Sequence, residues 1–503
     1  VYTNNLEFAK NFFDDYLKTL AIKQVEELYV KVTQRFLFNI YSISTDIDVF
    51  VAFETMNNRG KPLSHLELLK NRLIYLSTKF DVDYYEKSSL RKRINDCWKA
   101  IYHNLGRNKE NPLDDDTFLV NHFLIYFGSE LFEKNKNELE SFHMYKNMRH
   151  YYRNEYSNYL LEKKFTSKNI KDTENKISIG DIDNYVKSLQ HSVVAWYKIF
   201  NPVNSDFTND IKKWLDKLNR IGIYDSAPLI LIFFQQEKNN NKRLLLLKLI
   251  ERMKFLFSMT AYRHFLDYDP VFLLRIAINL NEKNITADKV LKEIDVLYYR
   301  QTINREINIR NSKEFRNNGF YKWQGIRYFL FEYDLYLQEN SKTSRKKLIW
   351  QEFSNTDYET VEHIYPRSSR AYCWTSSFQK YTTKERGILK DSLGNLLPLS
   401  RAKNSSFSNK CFKDKISNDK NSIGYRFGCY AENEITKFNE WTAVQILERG
   451  LQLLNFLEER WEVKLGNDKE KLSFLNLDFV LKKEKLPLTQ VIANADIQSK
   501  KKK

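Results

Sequence analysis

Glu362 and His363 stand side by side, Asn395 follows in a Gly394-Asn395 pair, and Asn404 comes shortly after. These residue types suit hydrolysis of a phosphodiester, which needs a base to activate water, a cation beside the phosphorane and leaving oxygen, and rigid placement of both. Histidine serves as base because its pKa lies near neutrality. The Glu362 carboxylate and the Asn404 amide oxygen suit Mg²⁺ or Mn²⁺, since Mg²⁺ takes few hard oxygen ligands from protein and keeps its remaining waters. Neighbouring side chains on a strand point to opposite faces, so a strand carrying Glu362 and His363 has to twist or turn if both serve one site. Pro366 is consistent with such an irregular strand end. Asn395 can sit in a loop and hydrogen-bond backbone groups across from the strand, which would fix the imidazole. His363 is the only histidine after His264, so no second histidine competes for its role. Lys410 and Lys415, with Arg367 upstream, are candidates for contact with phosphate or DNA.

The elements that would position these groups are a strand at Glu362-His363, a loop at Gly394-Asn395, a short second strand, and a helix near Asn404. That order is the one found in a ββα-metal finger. A Glu-His pair occurs often by chance, so the reading rests on the whole set and its spacing.

Glu362-His363-Ile364-Tyr365-Pro366 resembles the opening of HNH nucleases. Leu393-Gly394-Asn395-Leu396, Asn404, Ser408-Asn409, Phe412 and Lys415 resemble the rest of the HNH domain of GmrSD-type, modification-dependent restriction enzymes, and Trp441-Thr442 with Arg449 resemble its closing helix. Upstream, Phe53 to Ser64, containing Asn57, Arg59 and Gly60, resembles a motif late in the ParB-like N-terminal domain of the same proteins. The resemblance implies a metal-dependent DNA endonuclease that nicks or cleaves foreign, modified DNA in antiphage defence. It gives His363 and Asn395 catalytic roles and makes Glu362 and Asn404 metal ligands. It also implies nucleotide control, with Asn57, Arg59 and Gly60 at a nucleotide site or interface. The family's D-G-Q-Q-R motif is not found, and the chain begins at Val1 rather than Met. The nucleotide effector is therefore expected to act through residues upstream.

The rest of the chain supplies context. Over 503 residues, 42% are hydrophobic and 15% aromatic, with only 13 Gly and 8 Pro, so a mainly α chain with small α+β parts is expected. Helical spacing covers residues from about 6 to 30, and strands are expected at Phe36–Ser44 and Asp48–Phe53. Ser64 with Glu67 forms a capping-box pattern opening a helix to about Ser77, and Thr442 with Gln445 opens another. The expected organisation is the later part of a ParB-like domain at 1–85, a helical scaffold at 86–340, an HNH nuclease domain at 341–480, and a basic tail at 481–503 whose lysine-rich end, Gln498–Lys503, is expected to be unstructured. Within the nuclease part, Ser341–Lys347 reads as a polar, basic junction, and the residues after it to about 430 as strand-like segments and loops.

An excess of 81 basic over 64 acidic residues, net +17, favours a polyanionic partner such as phage or modified DNA. Cys97, Cys373, Cys411 and Cys429 are scattered without a C-x-x-C pair, which speaks against a disulfide framework and for a reducing cytoplasm. No run approaches the roughly 18 apolar residues that span a bilayer. A homo-oligomer or a defence-system partner protein is compatible with this reading. A second reading makes the chain a DNA- or phage-sensing scaffold with weak or absent nuclease activity, and a third makes it a nuclease acting on RNA.

Overall fold

In the computed structural model the described residues are 2–37, 63–130, 155–259, 270–296, 319–342, 361–417 and 423–500, with 153, 315, 348 and 350 besides. They are mainly helical, as composition leads one to expect. The chain divides into two compact units, the first made of Val1–Asp216, Tyr224–Leu244 and Asp269–Val290, the second of Lys217–Ile223, Leu245–Tyr268 and Leu291–Lys503.

The first unit is built from helices alone among its described residues. Helix His65–Lys79 starts with the expected capping box, Ser64 accepting from Glu67 N while Glu67 accepts from Ser64 N. It buries Leu66, Leu69, Leu73 and Leu76, a stripe at three- and four-residue steps. Helices Tyr84–Gly106 and Ile179–Phe200 pack along Leu90, Ile94, Cys97 and Trp98 against Ile182, Val186 and Leu189. The two strands expected at Phe36–Ser44 and Asp48–Phe53 fall outside the described residues apart from Phe36 and Leu37, which follow helices Tyr2–Lys18 and Ile22–Val30.

The second unit holds all the candidate nuclease residues. Its core gathers around helix Ala443–Trp461, whose cap is the expected Thr442–Gln445 pair. The sheet is minimal: β1 (Val361–His363) pairs antiparallel with β2 (Leu396–Pro398), setting His363 opposite Leu396 and Glu362 opposite Leu397. The residues after Lys347 to about 430, expected to be strand-like and looped, are instead mostly short helices among the described residues, with β1 and β2 as the exceptions. Serine and threonine caps, Thr382 and Ser400 among them, start helices in a stretch whose mixed character reads as loop. Within the basic tail Leu488–Lys500 is helical, with Val491 and Ala495 buried, so the helix continues into the end expected to be unstructured.

Buried carboxylates in this unit are matched by donors. Glu251 accepts from Tyr328 Oη at 2.6 Å, Arg460 Nη2 at 2.9 Å and Trp461 Nε1 at 3.1 Å. Asp334 caps helix Tyr430–Ile435 by accepting from Ala431 N at 2.7 Å. Burial pushes its carboxyl up to about 6 from an ordinary 3.8, against the bonds from Ala431 and Cys429. A carboxyl that holds its proton more tightly in the folded chain loses stability as pH rises from about 4 toward 6. Asp334→Asn keeps an acceptor without the charge. It is expected to raise stability by about 1–2 kcal/mol at pH 8 and to lose that advantage below pH 4, as thermal melts at the two pH values would record.

Candidate active site

The local folding of the site follows from a glycine and an asparagine. Gly394 lies so close to helix Ala443–Trp461 that an added Cβ would sit 1.9 Å from Ile446 O and 2.7 Å from Gly450 N. Only glycine allows that approach without moving backbone. Arg449, wholly buried on the same helix, donates from Nη1 to Gly394 O at 2.8 Å and Leu396 O at 2.7 Å. The start of β2 is thus clamped to the core.

Asn395 is 0% exposed and all of its amide hydrogen-bonding capacity is used. Its Oδ1 accepts from Tyr365 N at 2.8 Å and Trp441 Nε1 at 3.0 Å. Its Nδ2 donates to Tyr365 O at 3.0 Å and Lys390 O at 2.8 Å. Ile364 N also donates to Asn395 O at 3.1 Å. The asparagine therefore holds the chain just after His363 and makes no bond to the imidazole itself.

Glu362 and His363 part to different surroundings. The Glu362 carboxylate is 3% exposed, and its Oε1 accepts from Lys415 Nζ at 2.6 Å and Tyr425 Oη at 3.4 Å. Burial pushes the Glu362 carboxyl up, with Lys415 and Tyr425 opposing, and burial pulls the Lys415 amine down. Lys415 was expected on phosphate. It is instead 0% exposed, on helix Phe412–Ile416, and its Nζ also donates to His363 O at 3.4 Å and Ile364 O at 3.2 Å. An ammonium so enclosed cannot reach a substrate phosphate; it neutralises a buried carboxylate.

His363 reaches the other side. Its Nε2 lies 3.0 Å from Asp391 Oδ1, and its ring centroid lies 4.5 Å from that of Tyr321. Burial lowers its pKa, as does Arg367, while Asp391 raises it, and the balance is downward. The downward shift favours the neutral imidazole, the form in which it can accept a proton. Arg367 stacks over the Tyr321 ring at 4.1 Å, lies 3.5 Å from Asp391 Oδ1, and leaves 55% of its side chain exposed. Burial works against the Asp391 charge, but His363 and Arg367 outweigh it and its pKa falls.

The structure therefore brings Arg367 to His363, while Lys410 is exposed next to the bond from Trp374 Nε1 to its carbonyl. Asn404 lies half-buried on helix Arg401–Phe407, which begins directly after β2 and is capped by Ser400. Asn57, Arg59 and Gly60 lie outside the described residues. Tyr321 and Asp391 were missed. Asp391 precedes the Gly-Asn motif closely enough to have been suspected, but nothing in the sequence links Tyr321 to His363.

The cysteine expectation also needs correction. Cys373 and Cys411 form a disulfide with Cα atoms 6.0 Å apart, while Cys97 and Cys429 are free and buried. Packing of Trp374 against the Asn409 and Lys410 carbonyls brings the two cysteines together, and no sequence spacing announces it. The bridge closes the segment carrying Asp391, Asn395 and Asn404, and it removes the cysteine argument for a reducing compartment. Among the described residues no helix is long and apolar enough to cross a membrane.

Among the described residues no three His, Cys, Asp or Glu side chains group to hold a metal. Mg²⁺ does not require such a cage, since one or two protein oxygens plus water and phosphate suffice. The Glu362 carboxylate already accepts from Lys415 and Tyr425 through Oε1. The oxygens expected to serve such an ion are this buried carboxylate and the amide of half-buried Asn404.

A comparison with curated proteins finds no match. Residues 307–456, which contain β1, β2, Asp391 and the helix bearing Asn404, match the family model described as GmrSD restriction endonucleases, C-terminal domain, and this region is accordingly similar to a restriction-type nuclease whose substrate is DNA.

Proposed function

We propose that the second unit is an HNH-type DNA endonuclease, with β1, β2 and helix Arg401–Phe407 as its ββα-metal finger. The observation that carries this reading is a mostly buried His363 held between Asp391 and Tyr321, inside the stretch matched by the restriction-endonuclease domain. His363 takes the proton of the attacking water. Arg367, exposed and stacked beside it, meets the phosphate. Asn395 holds the strand end from which His363 projects. Glu362 and Asn404 would hold Mg²⁺ or Mn²⁺, which when bound supplies positive charge for the phosphorane and leaving oxygen.

The biological role that fits is antiphage defence against foreign, modified DNA. Residues 1–85 are read as the later part of a ParB-like domain, with nucleotide control exerted there. The test is conversion of supercoiled plasmid to nicked or linear form. Activity is expected with Mg²⁺ or Mn²⁺ and is expected to vanish with EDTA and return on adding metal back. Cleavage that persists in EDTA would overturn the metal-dependent reading.

A further inference from the structure

Asp391 ends helix Thr383–Asp391, where a carboxylate meets the negative end of the helix dipole and is locally unfavourable. Three contacts explain why it is there. Its Oδ1 lies 3.0 Å from His363 Nε2 and 3.5 Å from Arg367 Nη2, and its carbonyl accepts from Phe320 N at 2.8 Å. The last contact depends on Gly319, which has φ +63°; a Cβ there would lie 2.5 Å from Asp391 O and 2.7 Å from Asp391 Cβ. The same segment brings Tyr321 against the imidazole at 4.5 Å. Asp391 is thus fixed by its backbone while its side chain faces the histidine.

An ionised carboxylate can only accept, so the hydrogen between the two groups belongs to His363 Nε2. Nδ1 then carries the lone pair, and no described residue hydrogen-bonds it.

We propose that Asp391 is a positioning residue that holds His363 in its Nε2–H tautomer and so makes Nδ1 the atom that takes the proton from water. This rests on the endonuclease reading. Water loses a proton to Nδ1, its oxygen forms the new bond to phosphorus, and the P–O bond to the leaving oxygen breaks with its electron pair. The proton on Nδ1 then passes to the leaving oxygen or to solvent, and His363 returns to its starting form. Arg367 shares the same carboxylate oxygen, so phosphate bound by Arg367 and the base at His363 are held in one frame.

The test uses the full chain, with ¹⁵N-labelled histidine and long-range ¹H–¹⁵N correlation, the His363 ring signals being identified by their loss in His363→Gln. The wild type is expected to show the Nε2–H tautomer, and Asp391→Ala a mixture of both. In plasmid nicking, Asp391→Ala is expected to lower kcat about 100-fold with KM for DNA within about twofold, since misplacement of a reacting group costs this much. Asp391→Glu should recover part of the loss. Asp391→Asn keeps shape and the Phe320 bond, guards against a folding artefact, and should also lower kcat while leaving the melting temperature near wild type. An unchanged tautomer in Asp391→Ala, or a kcat within twofold of wild type in both Ala and Asn variants, would overturn the assignment. If the wild type does not nick DNA, the endonuclease reading fails while the tautomer shift still decides the role of Asp391.

Discussion

His363→Ala is expected to reduce plasmid nicking by about 10²–10⁴-fold, the range associated with loss of a positioned general base. Among the described residues of the second unit His363 is the only histidine. Glu362 cannot substitute, since it is buried against Lys415 and Tyr425. The fold should tolerate the change, because the strand end is held by Asn395 and Lys415 through backbone atoms of Ile364 and Tyr365 rather than through the imidazole. A time course of supercoiled plasmid loss, with a melting curve of the variant beside it, measures both parts. Nicking by the variant at the wild-type rate would remove His363 from the mechanism.

Lys415→Ala should act differently, on stability first. It leaves the Glu362 carboxylate buried without its ammonium, and breaking a buried pair by removing one partner costs about 3–5 kcal/mol. The backbone carbonyls of His363 and Ile364 lose a donor at the same time. Chemical denaturation should record the loss as a lower midpoint. The double replacement Glu362→Gln with Lys415→Met should recover most of the stability, because an uncharged pair carries no unpaired charge. It should nevertheless be strongly impaired, because a neutral amide replaces the carboxylate of the proposed metal ligand. If Lys415→Ala were as stable as wild type and merely bound DNA less tightly, the phosphate role expected from sequence would be restored and the buried-pair account would fall.

These two residues mark how far the site was legible. Glu362-His363 and Gly394-Asn395 could be picked out because their chemistry and spacing lie on a short stretch of chain. The helix starts at Ser64 and Thr442 could be read for the same reason, since a capping box is a contact between residues three apart. Lys415 could not be assigned correctly. Its position after the Asn404 motif is equally compatible with solvent and with the buried Glu362, and only packing chooses between them. The short helices of 361–430 were obscured by their length, since pieces of five to nine residues show too little periodicity to separate them from loops.

The amino-acid sequence by itself determined the types of group available for chemistry, the mainly helical character that scarce Gly and Pro permit, and the local caps. Tertiary structure alone decided which groups meet: Asp391 and Tyr321 with His363, Lys415 with Glu362, Cys373 with Cys411, and Arg449 with the carbonyls flanking Asn395. The physical reason is range. Caps and periodic stripes are set by neighbours within a turn or two, whereas each of these pairs closes a long loop that only burial of a shared core can stabilise.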